Sequence, residues 1–246
     1  MCTLTIAWQV FADTPVAVAA NRDEAFDRPS RPPSVVETDP RVVAPRDEEA
    51  GGTWLGYNEH GVLVGITNRW VDGDIVGERS RGLLVRDALR YPTAEDATRY
   101  VERELDEQTY EGFNLVLADA NAALYMEWDG RVDVFNLDPG VHVVVNVGLD
   151  GAFYEPSFAP DLGERQAENA RAVREALQPE PGETATAWLD RAAAVVSDHD
   201  YGVCVHDDDY GTRSSSLIAI GQTGATYRFA AGPPCETPFE TVEGQL

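Results

Sequence analysis

Alternation of apolar and polar residues predicts strands at the start of the chain. In CTLTIAWQV, the residues Cys2, Leu4 and Ile6 share one face of an extended segment. TPVAVAANRD alternates in the same way after a short turn, so we expect it to pair with the first strand. TWLGYNEHGVLVGITNRW has two apolar runs around Asn58–Gly61, which predicts a hairpin.

Further strands and four helices are predicted along the rest of the chain. The strands fall in FNLVLADANAALYMEW, RVDVFNL, VHVVVNVG, YGVCVH, TRSSSLIAIG and ATYRFAAG. An apolar stripe in RSRGLLVRDALRYP predicts a helix that stops before Pro92, and Thr93 is placed to cap the next one. Two later helices are predicted from about Asp161 to Leu177 and from about Glu183 to Val196.

The segment from Arg28 to Gly52 interrupts this regular pattern. It is rich in Pro, Asp and Glu, and we expect a long loop with little regular structure at the rim of a site. The order of elements is therefore strands, helices, strands, helices, strands. Because strict alternation of strand and helix is absent, this order favours an α+β fold in which helices cover antiparallel sheets, formed by one domain over residues 1–246.

The charge of the chain argues against two classes of partner. Its 246 residues include 43 Asp and Glu against 19 basic residues, all of them Arg, for a formal net charge of −24. Such a surface repels nucleic acid and anionic lipid, so we expect neither as a partner. An acidic shell adapted to high salt explains the charge and predicts that dilution into low salt loosens the fold. The chain has no apolar run of membrane-spanning length and no secretory signal, so we expect a cytoplasmic protein.

The cysteines argue against a disulfide framework. Cys2, Cys204 and Cys235 are an odd number in a chain without an export signal. Cys204 and His206 alternate onto one face of the predicted strand YGVCVH. Because two ligands do not make a zinc site, we predict neither a metal site nor a cofactor.

Polar residues stand where the predicted strands begin or end. They are Arg22 and Asp23 after PVAVAA, Asn68 after VLVGIT, Asn146 within VHVVVNVG, and Arg213 at the start of the strand TRSSSLIAIG. Each has an ordinary explanation, because Asn and Asp favour turns and Arg pairs with surface acids. Together with a cysteine thiol, however, they supply the charges and hydrogen-bond donors that acyl transfer requires.

An N-terminal cysteine carries its own base. If Met1 is removed, the α-amine of Cys2, with a reference pKa of about 7.7–8.0, can accept the thiol proton. Asp23 would orient that amine or balance its charge. The alternative is that Cys2 is a buried strand residue without a chemical role.

The remaining polar residues supply charge and donors to such a thiol. Arg22 and Arg213 would lower the thiol pKa by favouring the thiolate. Asn68 and Asn146 would donate side-chain N–H bonds to a tetrahedral oxyanion, each donor being worth roughly 3 kcal/mol.

Several blocks of the sequence resemble one known family. MCTLTI, AANRDEAFDRPS, GGTWLGYNEHGVLVGITNR and YGTRSSSLIAIG extend to about residue 220 and resemble the NRDE family, also called the transport and Golgi organisation 2 family. Asn21–Glu24 is the tetrapeptide that names it. That family is in turn similar to the N-terminal nucleophile hydrolases of the bile-salt hydrolase and penicillin V acylase type.

The resemblance implies a four-layer αββα sandwich and a hydrolase site. By their positions in the motifs, Cys2 matches the nucleophile of these hydrolases, Arg22 and Arg213 match two arginines, and Asn68 and Asn146 match two asparagines. The hydrolases carry Arg, two residues, then Asp. Here Arg22 is followed directly by Asp23 and Glu24, so either carboxylate is a candidate for orienting the amine.

Two functions fit this set of residues. The first is a hydrolase that cleaves a non-peptide amide or a thioester of a small molecule through an acyl-enzyme on Cys2. The second is a binding or trafficking protein for haem, acyl-CoA or a similar amphipathic ligand on the same scaffold, with Cys2 as a ligand or a remnant. The four histidines show no haem-ligation spacing.

Overall fold

The computed structural model describes residues 2–73 and 75–244, whose strands form two antiparallel sheets. The strands are β1 (Thr3–Phe11), β2 (Thr14–Ala25), β3 (Ser30–Thr38), β4 (Arg41–Asp47), β5 (Leu55–Asn58), β6 (Leu63–Asn68), β7 (Phe113–Ala118), β8 (Ala123–Trp128), β9 (Val132–Asn136), β10 (Gly140–Val145), β11 (Gly148–Leu149), β12 (Ala152–Phe153), β13 (Tyr210–Gly221), β14 (Gly224–Ala230) and β15 (Glu240–Thr241). The helices are α1 (Arg81–Ala88), α2 (Ala94–Glu107), α3 (Pro160–Ala176) and α4 (Ala185–Ser197), and a 3₁₀ turn follows at His199–Tyr201.

Strand pairing brings four chain segments together at one end of neighbouring strands in the sheet that contains β1, called sheet A. Sheet A has the order β12-β11-β10-β1-β2-β13-β14-β15, and sheet B has the order β3-β4-β5-β6-β7-β8-β9. In sheet A, Thr3 lies opposite Asn21, Leu4 lies opposite Val144, and Asp23 lies opposite Thr212. Because neighbouring strands are antiparallel, the starts of β1 and β13 and the ends of β2 and β10 meet at the same end of the sheet.

Three apolar clusters separate four layers. The first lies between the sheets, where Leu4 and Ile6 of β1 share a cluster with Tyr57 and Leu63 of sheet B. The second joins the other face of sheet A to α3 and α4 and includes the fully buried Trp188. The third joins α1 and α2 to sheet B. The αββα sandwich expected from the sequence is therefore confirmed.

The expected loop over Arg28–Gly52 is wrong. Strands β3 and β4 form a hairpin at the edge of sheet B, and Val42 and Val43 of β4 are fully buried. Of the five prolines in this segment, Pro32 and Pro33 lie in β3, at a shift of register between Arg31 and Ser34. An edge strand accommodates proline because one of its sides needs no N–H donor.

The strand predicted in YGVCVH is also wrong. In this segment Tyr201 ends the 3₁₀ turn, Gly202 takes a left-handed φ of 64°, and His206 makes only an isolated bridge to Gly211. The left-handed residue turns the chain, so the pairing with β2 begins only at Tyr210.

The helices agree closely with the sequence pattern. Thr93 caps α2, and its hydroxyl accepts the Asp96 N–H at 3.0 Å. The predicted and observed ends of α3 and α4 differ by one or two residues. None of the helices in the described part of the chain is long and apolar enough to span a membrane.

Candidate active site

Cys2 lies immediately before β1, at the end of sheet A where the four segments meet. Its backbone N–H donates to Asn146 Oδ1 at 3.0 Å, and its Sγ lies 3.6 Å from the carbonyl oxygen of Asp23. Burial raises the pKa of the Cys2 thiol above its usual value, which favours the protonated form. Met1, which must be removed to expose the α-amine of Cys2, lies outside the described residues.

The two predicted asparagines lie beside Cys2 and contact each other. Asn146 follows β10 and is buried, and its Nδ2 donates to the carbonyl oxygen of Asn68 at 2.8 Å. Asn68 is the last residue of β6, so this bond joins sheet A to sheet B. The Asn68 residue is itself exposed and lies on the wall of a cavity that Cys2 also lines.

A buried asparagine that no sequence motif marks forms hydrogen bonds to the residues directly before this pair. Asn114 of β7 is fully buried, and its Nδ2 donates to the Val145 carbonyl at 2.9 Å and to the Thr67 hydroxyl at 3.2 Å. Val145 and Thr67 directly precede Asn146 and Asn68. Two side chains donate to Asn114 Oδ1, namely Arg69 at 3.1 Å and Tyr125 at 2.9 Å. In the sequence, FNLVLA shows only a polar residue inside an apolar strand, which is a weak signal for a buried hydrogen-bond centre.

Arg22 lies on the cavity wall as a buried cation. Its guanidinium carbon is 4.2 Å from the centroid of the Trp54 ring, and Nη2 is 3.3 Å from Glu24 Oε2. Nη1 is buried and has no hydrogen-bond partner among the described residues. A buried donor without a partner costs free energy, so this N–H is suited to binding an oxygen atom of a ligand.

Asp23 and Glu24 have different surroundings. Asp23 is 3% exposed, and its Oδ1 accepts the Thr212 hydroxyl at 2.6 Å. Burial raises the pKa of Asp23 above its usual range, although the Thr212 hydrogen bond acts in the opposite direction. Glu24 is only half-buried and pairs with Arg22. Of the two carboxylates, Asp23 is therefore the one that is buried near Cys2 at this end of sheet A.

The structure does not bring the predicted residue Arg213 to the cavity. It lies at the register shift of β13, between Thr212 and Ser214. Its guanidinium carbon is 5.9 Å from the centroid of the Phe26 ring, and it is not among the described residues that line the cavity. A bulge changes the direction of a side chain relative to plain alternation, and no sequence pattern indicates this bulge.

The cavity beside Cys2 is small and highly charged. Its volume is about 320 Å³, and nine of the eighteen described residues that line it are charged. Arg28 pairs there with Asp47 at 2.5 Å, and Arg81 pairs with Glu111 at 2.9 Å. The wall also includes the segment 77–82, which leads into α1 and which sequence reasoning did not connect to the site.

The sequence matches the family described as Transport and Golgi organisation 2 over residues 1–230. The chain belongs to the Transport and Golgi organisation 2 family. The Transport and Golgi organization protein 2 homolog of Homo sapiens is 29% identical over 237 residues, which covers 84% of this chain and 82% of the human protein. The Bos taurus homolog is 30% identical over 229 residues, with the same coverage.

Solved structures similar to this member of the Transport and Golgi organisation 2 family are N-terminal nucleophile hydrolases. Penicillin V acylase from Agrobacterium tumefaciens has a TM-score of 0.54 at 17% identity, covering 94% of this chain and 83% of that one. A variant of conjugated bile acid hydrolase from Clostridium perfringens has a TM-score of 0.55 at 11% identity, covering 94% and 89%. The Caenorhabditis elegans N-acylethanolamine-hydrolyzing acid amidase ortholog has a TM-score of 0.56 at 12% identity, covering 88% and 92%. At these identities the likeness establishes a shared fold.

Proposed function

We propose that this chain is an N-terminal cysteine hydrolase that cleaves a non-peptide amide or a thioester of a small polar molecule. The observation that carries the proposal is the position of Cys2, whose backbone nitrogen is held by Asn146 Oδ1 at 3.0 Å beside a charged cavity. Removal of Met1 converts that nitrogen into an amine at a place where an acceptor already orients it. The amine then lies within the same residue as the thiol that it must deprotonate.

The first half of the reaction forms an acyl-enzyme. The Cys2 thiol gives its proton to the α-amine, and the thiolate attacks the carbonyl carbon of the substrate. A C–S bond forms, and the carbonyl electron pair moves onto oxygen. When this intermediate collapses, the C=O bond reforms, the bond to the leaving nitrogen or sulfur breaks, and the α-ammonium returns the proton to the leaving group.

The second half of the reaction releases the acid. A water molecule gives a proton to the α-amine and attacks the thioester carbon, forming a second oxyanion. Its collapse breaks the C–S bond, and the thiolate regains the proton from the α-ammonium. The products are a carboxylic acid and the free Cys2 thiol, so the site is ready for another turnover.

Donors for the oxyanion and the substrate stand close to the thiol. Asn68 lies exposed on the cavity wall, and Asn146 has a second Nδ2 hydrogen beside the one that it donates to the Asn68 carbonyl. Nη1 of Arg22, which has no partner among the residues that the structure describes, supplies another N–H for a substrate oxygen. Preorganised donors of this kind lower the barrier because they need no rearrangement when the charge develops.

The charge of the cavity favours a polar substrate over an amphipathic ligand. Haem or an acyl chain would have to bury apolar surface against a wall of which half the described residues are charged. Burial of apolar surface contributes about 25 cal/mol per Å², but here it would also remove charged groups from water, which costs free energy. The binding function is therefore the second candidate, and it is an outcome that the experiment can reveal.

Turnover of a panel of small acyl amides and acyl thioesters tests the proposal. We expect the native chain to release acid, and Cys2→Ala to lose about 10³-fold or more in kcat while retaining the native unfolding transition. Equal turnover by the native chain and Cys2→Ala would contradict the proposal. Binding of haem or acyl-CoA by both proteins, without turnover of any panel member by either, would establish the second candidate instead.

A further inference from the structure

Four side chains with metal-binding atoms converge at the surface, apart from the residues that line the Cys2 cavity. They are His199, Cys204, His206 and Cys235, and one ligand atom from each lies within 4.8 Å of every other. The two sulfur atoms are 3.5 Å apart, and His206 Nε2 is 3.6 Å from Cys204 Sγ and 3.1 Å from Cys235 Sγ. The rings of His199 and His206 are also neighbours, with centroids 5.1 Å apart.

We propose that these four residues form a structural zinc site with two thiolate and two imidazole ligands. A tetrahedral zinc ion takes sulfur at about 2.3 Å and nitrogen at about 2.0–2.1 Å, so its ligand atoms lie roughly 3.3–3.8 Å apart. The three separations involving His206 and the sulfur atoms lie close to this range. Two sulfur and two nitrogen ligands are a combination that zinc prefers, and four protein ligands leave no open position for catalysis.

The site would join three separate stretches of the chain. His199 lies in the 3₁₀ turn after α4, Cys204 and His206 lie in the segment before β13, and Cys235 follows β14. These stretches have few regular backbone bonds of their own, because the expected strand in YGVCVH does not form. A metal that binds all three holds them together in the folded state and adds its binding free energy to folding.

The bound segment contacts the residue that orients Asp23. The Val205 N–H, between two of the proposed ligands, donates to the Thr212 hydroxyl at 2.9 Å. The same hydroxyl donates to Asp23 Oδ1 at 2.6 Å. A metal that fixes this segment therefore also fixes one wall of the buried carboxylate beside Cys2.

Binding must displace protons from the two cysteines. Cys204 and Cys235 are free thiols, and each gives up its proton to solvent as its sulfur coordinates Zn²⁺. The histidines bind as neutral imidazoles. A disulfide between the two cysteines is the competing use of the same sulfur atoms, but it gives no role to the two imidazoles beside them.

Metal content and cobalt spectroscopy test the site in the full chain. Protein purified in reducing buffer without chelator is assayed for bound metals, and the metal-free protein is then titrated with Co²⁺. We expect about one zinc per chain. We also expect the visible bands of tetrahedral Co²⁺ together with sulfur-to-cobalt charge-transfer absorption in the near ultraviolet, a signature that arises in the native chain without any substitution.

Substitutions assign the ligands. Cys204→Ser and Cys235→Ser should each abolish the charge-transfer band or halve it, and His206→Ala should weaken Co²⁺ binding by about tenfold or more. Cys2→Ser and His60→Ala remove the same residue types outside the cluster and should bind Co²⁺ as the native chain does. Reduced protein that binds neither ion would overturn the proposal. Charge-transfer bands that persist undiminished in both cysteine variants would also overturn it, as would a Cys204–Cys235 disulfide whose reduction restores no binding.

Discussion

The side chain of Asn146 connects Cys2 to Asn68 across the two sheets. Its Oδ1 accepts the Cys2 N–H at 3.0 Å, and its Nδ2 donates to the Asn68 carbonyl at 2.8 Å. Cys2, the proposed nucleophile, is therefore held beside the cavity by one amide group.

Substitution of Asn146 should affect catalysis more than folding. We expect Asn146→Ala to lower kcat/KM by about 10²–10³-fold, because it removes both the orientation of the Cys2 nitrogen and an oxyanion donor. The free energy of unfolding should fall by about 1–3 kcal/mol through the loss of two hydrogen bonds. Steady-state kinetics and urea unfolding measure the two effects, and unchanged kcat/KM would remove Asn146 from the mechanism.

Substitution of the buried Asn114 should lower the free energy of unfolding. Replacing it by Leu leaves the Val145 carbonyl and the Arg69 guanidinium without a bond that each now makes. We expect a loss of about 2–5 kcal/mol in the free energy of unfolding, since each buried group left unpaired costs about 1–3 kcal/mol. Asn136→Ala, at an exposed position of β9, is the control and should change stability by less than about 0.5 kcal/mol. Similar stability of the two variants would show that the Asn114 network is unimportant.

Removal of the Thr212 hydroxyl should move the pH dependence of activity. Burial already raises the pKa of Asp23, and the Thr212 hydrogen bond opposes that rise, so Thr212→Val should raise the pKa further. The acid limb of the kcat/KM profile then shifts to higher pH. Thr212→Ser keeps the hydroxyl and should retain the native profile. An acid limb that stays in place in Thr212→Val would show that Asp23 does not titrate in the reaction.

The stabilising contribution of His142 to the fold should be lost as pH rises. Burial alone lowers the pKa of His142, but hydrogen bonds with the Asp150 carboxylate and the Asp138 carbonyl outweigh it and raise the pKa. Because the folded pKa exceeds the unfolded value of about 6.5, the stabilisation is complete below that value and is lost as pH rises through the folded pKa.

Urea unfolding of native protein and His142→Gln between about pH 5.5 and 9 isolates this contribution. The difference in free energy of unfolding between them should shrink steadily as pH increases. A constant difference across that range would mean that the protonation of His142 is not linked to folding.

Much of the fold follows from local pattern. The alternation around Leu4 and Ile6, the cap at Thr93 and the hairpin ending at Asn68 each depend on neighbouring residues, so the sequence predicts them well. The segment from Arg28 to Gly52 has the composition of a loop yet forms strands. Its prolines and charges are tolerated at a sheet edge, and edge position is a property of the whole sheet.

The site is less accessible to sequence reasoning, because distant segments form it. Motif positions predict Cys2, Arg22 and Asn146 as candidates, but Asn114 has no motif, and the bulge at Arg213 depends on strand pairing. The convergence of Cys235 with Cys204 likewise involves residues 31 positions apart, which no spacing rule for short zinc motifs detects.

In the proposed mechanism Cys2 acts through its own α-amine, and one comparison tests this role. A chain beginning at Cys2, verified by intact mass, is compared with the same chain carrying an uncleaved N-terminal extension. The measurement is the rate at which an electrophilic thiol probe labels Cys2 at neutral pH, quantified by peptide mapping. We predict rapid labelling of the chain that begins at Cys2. The extended chain should be labelled at least about tenfold more slowly, because burial keeps its thiol protonated. Equal rates in the two chains, or a mature cellular protein that retains Met1, would contradict this role of the α-amine.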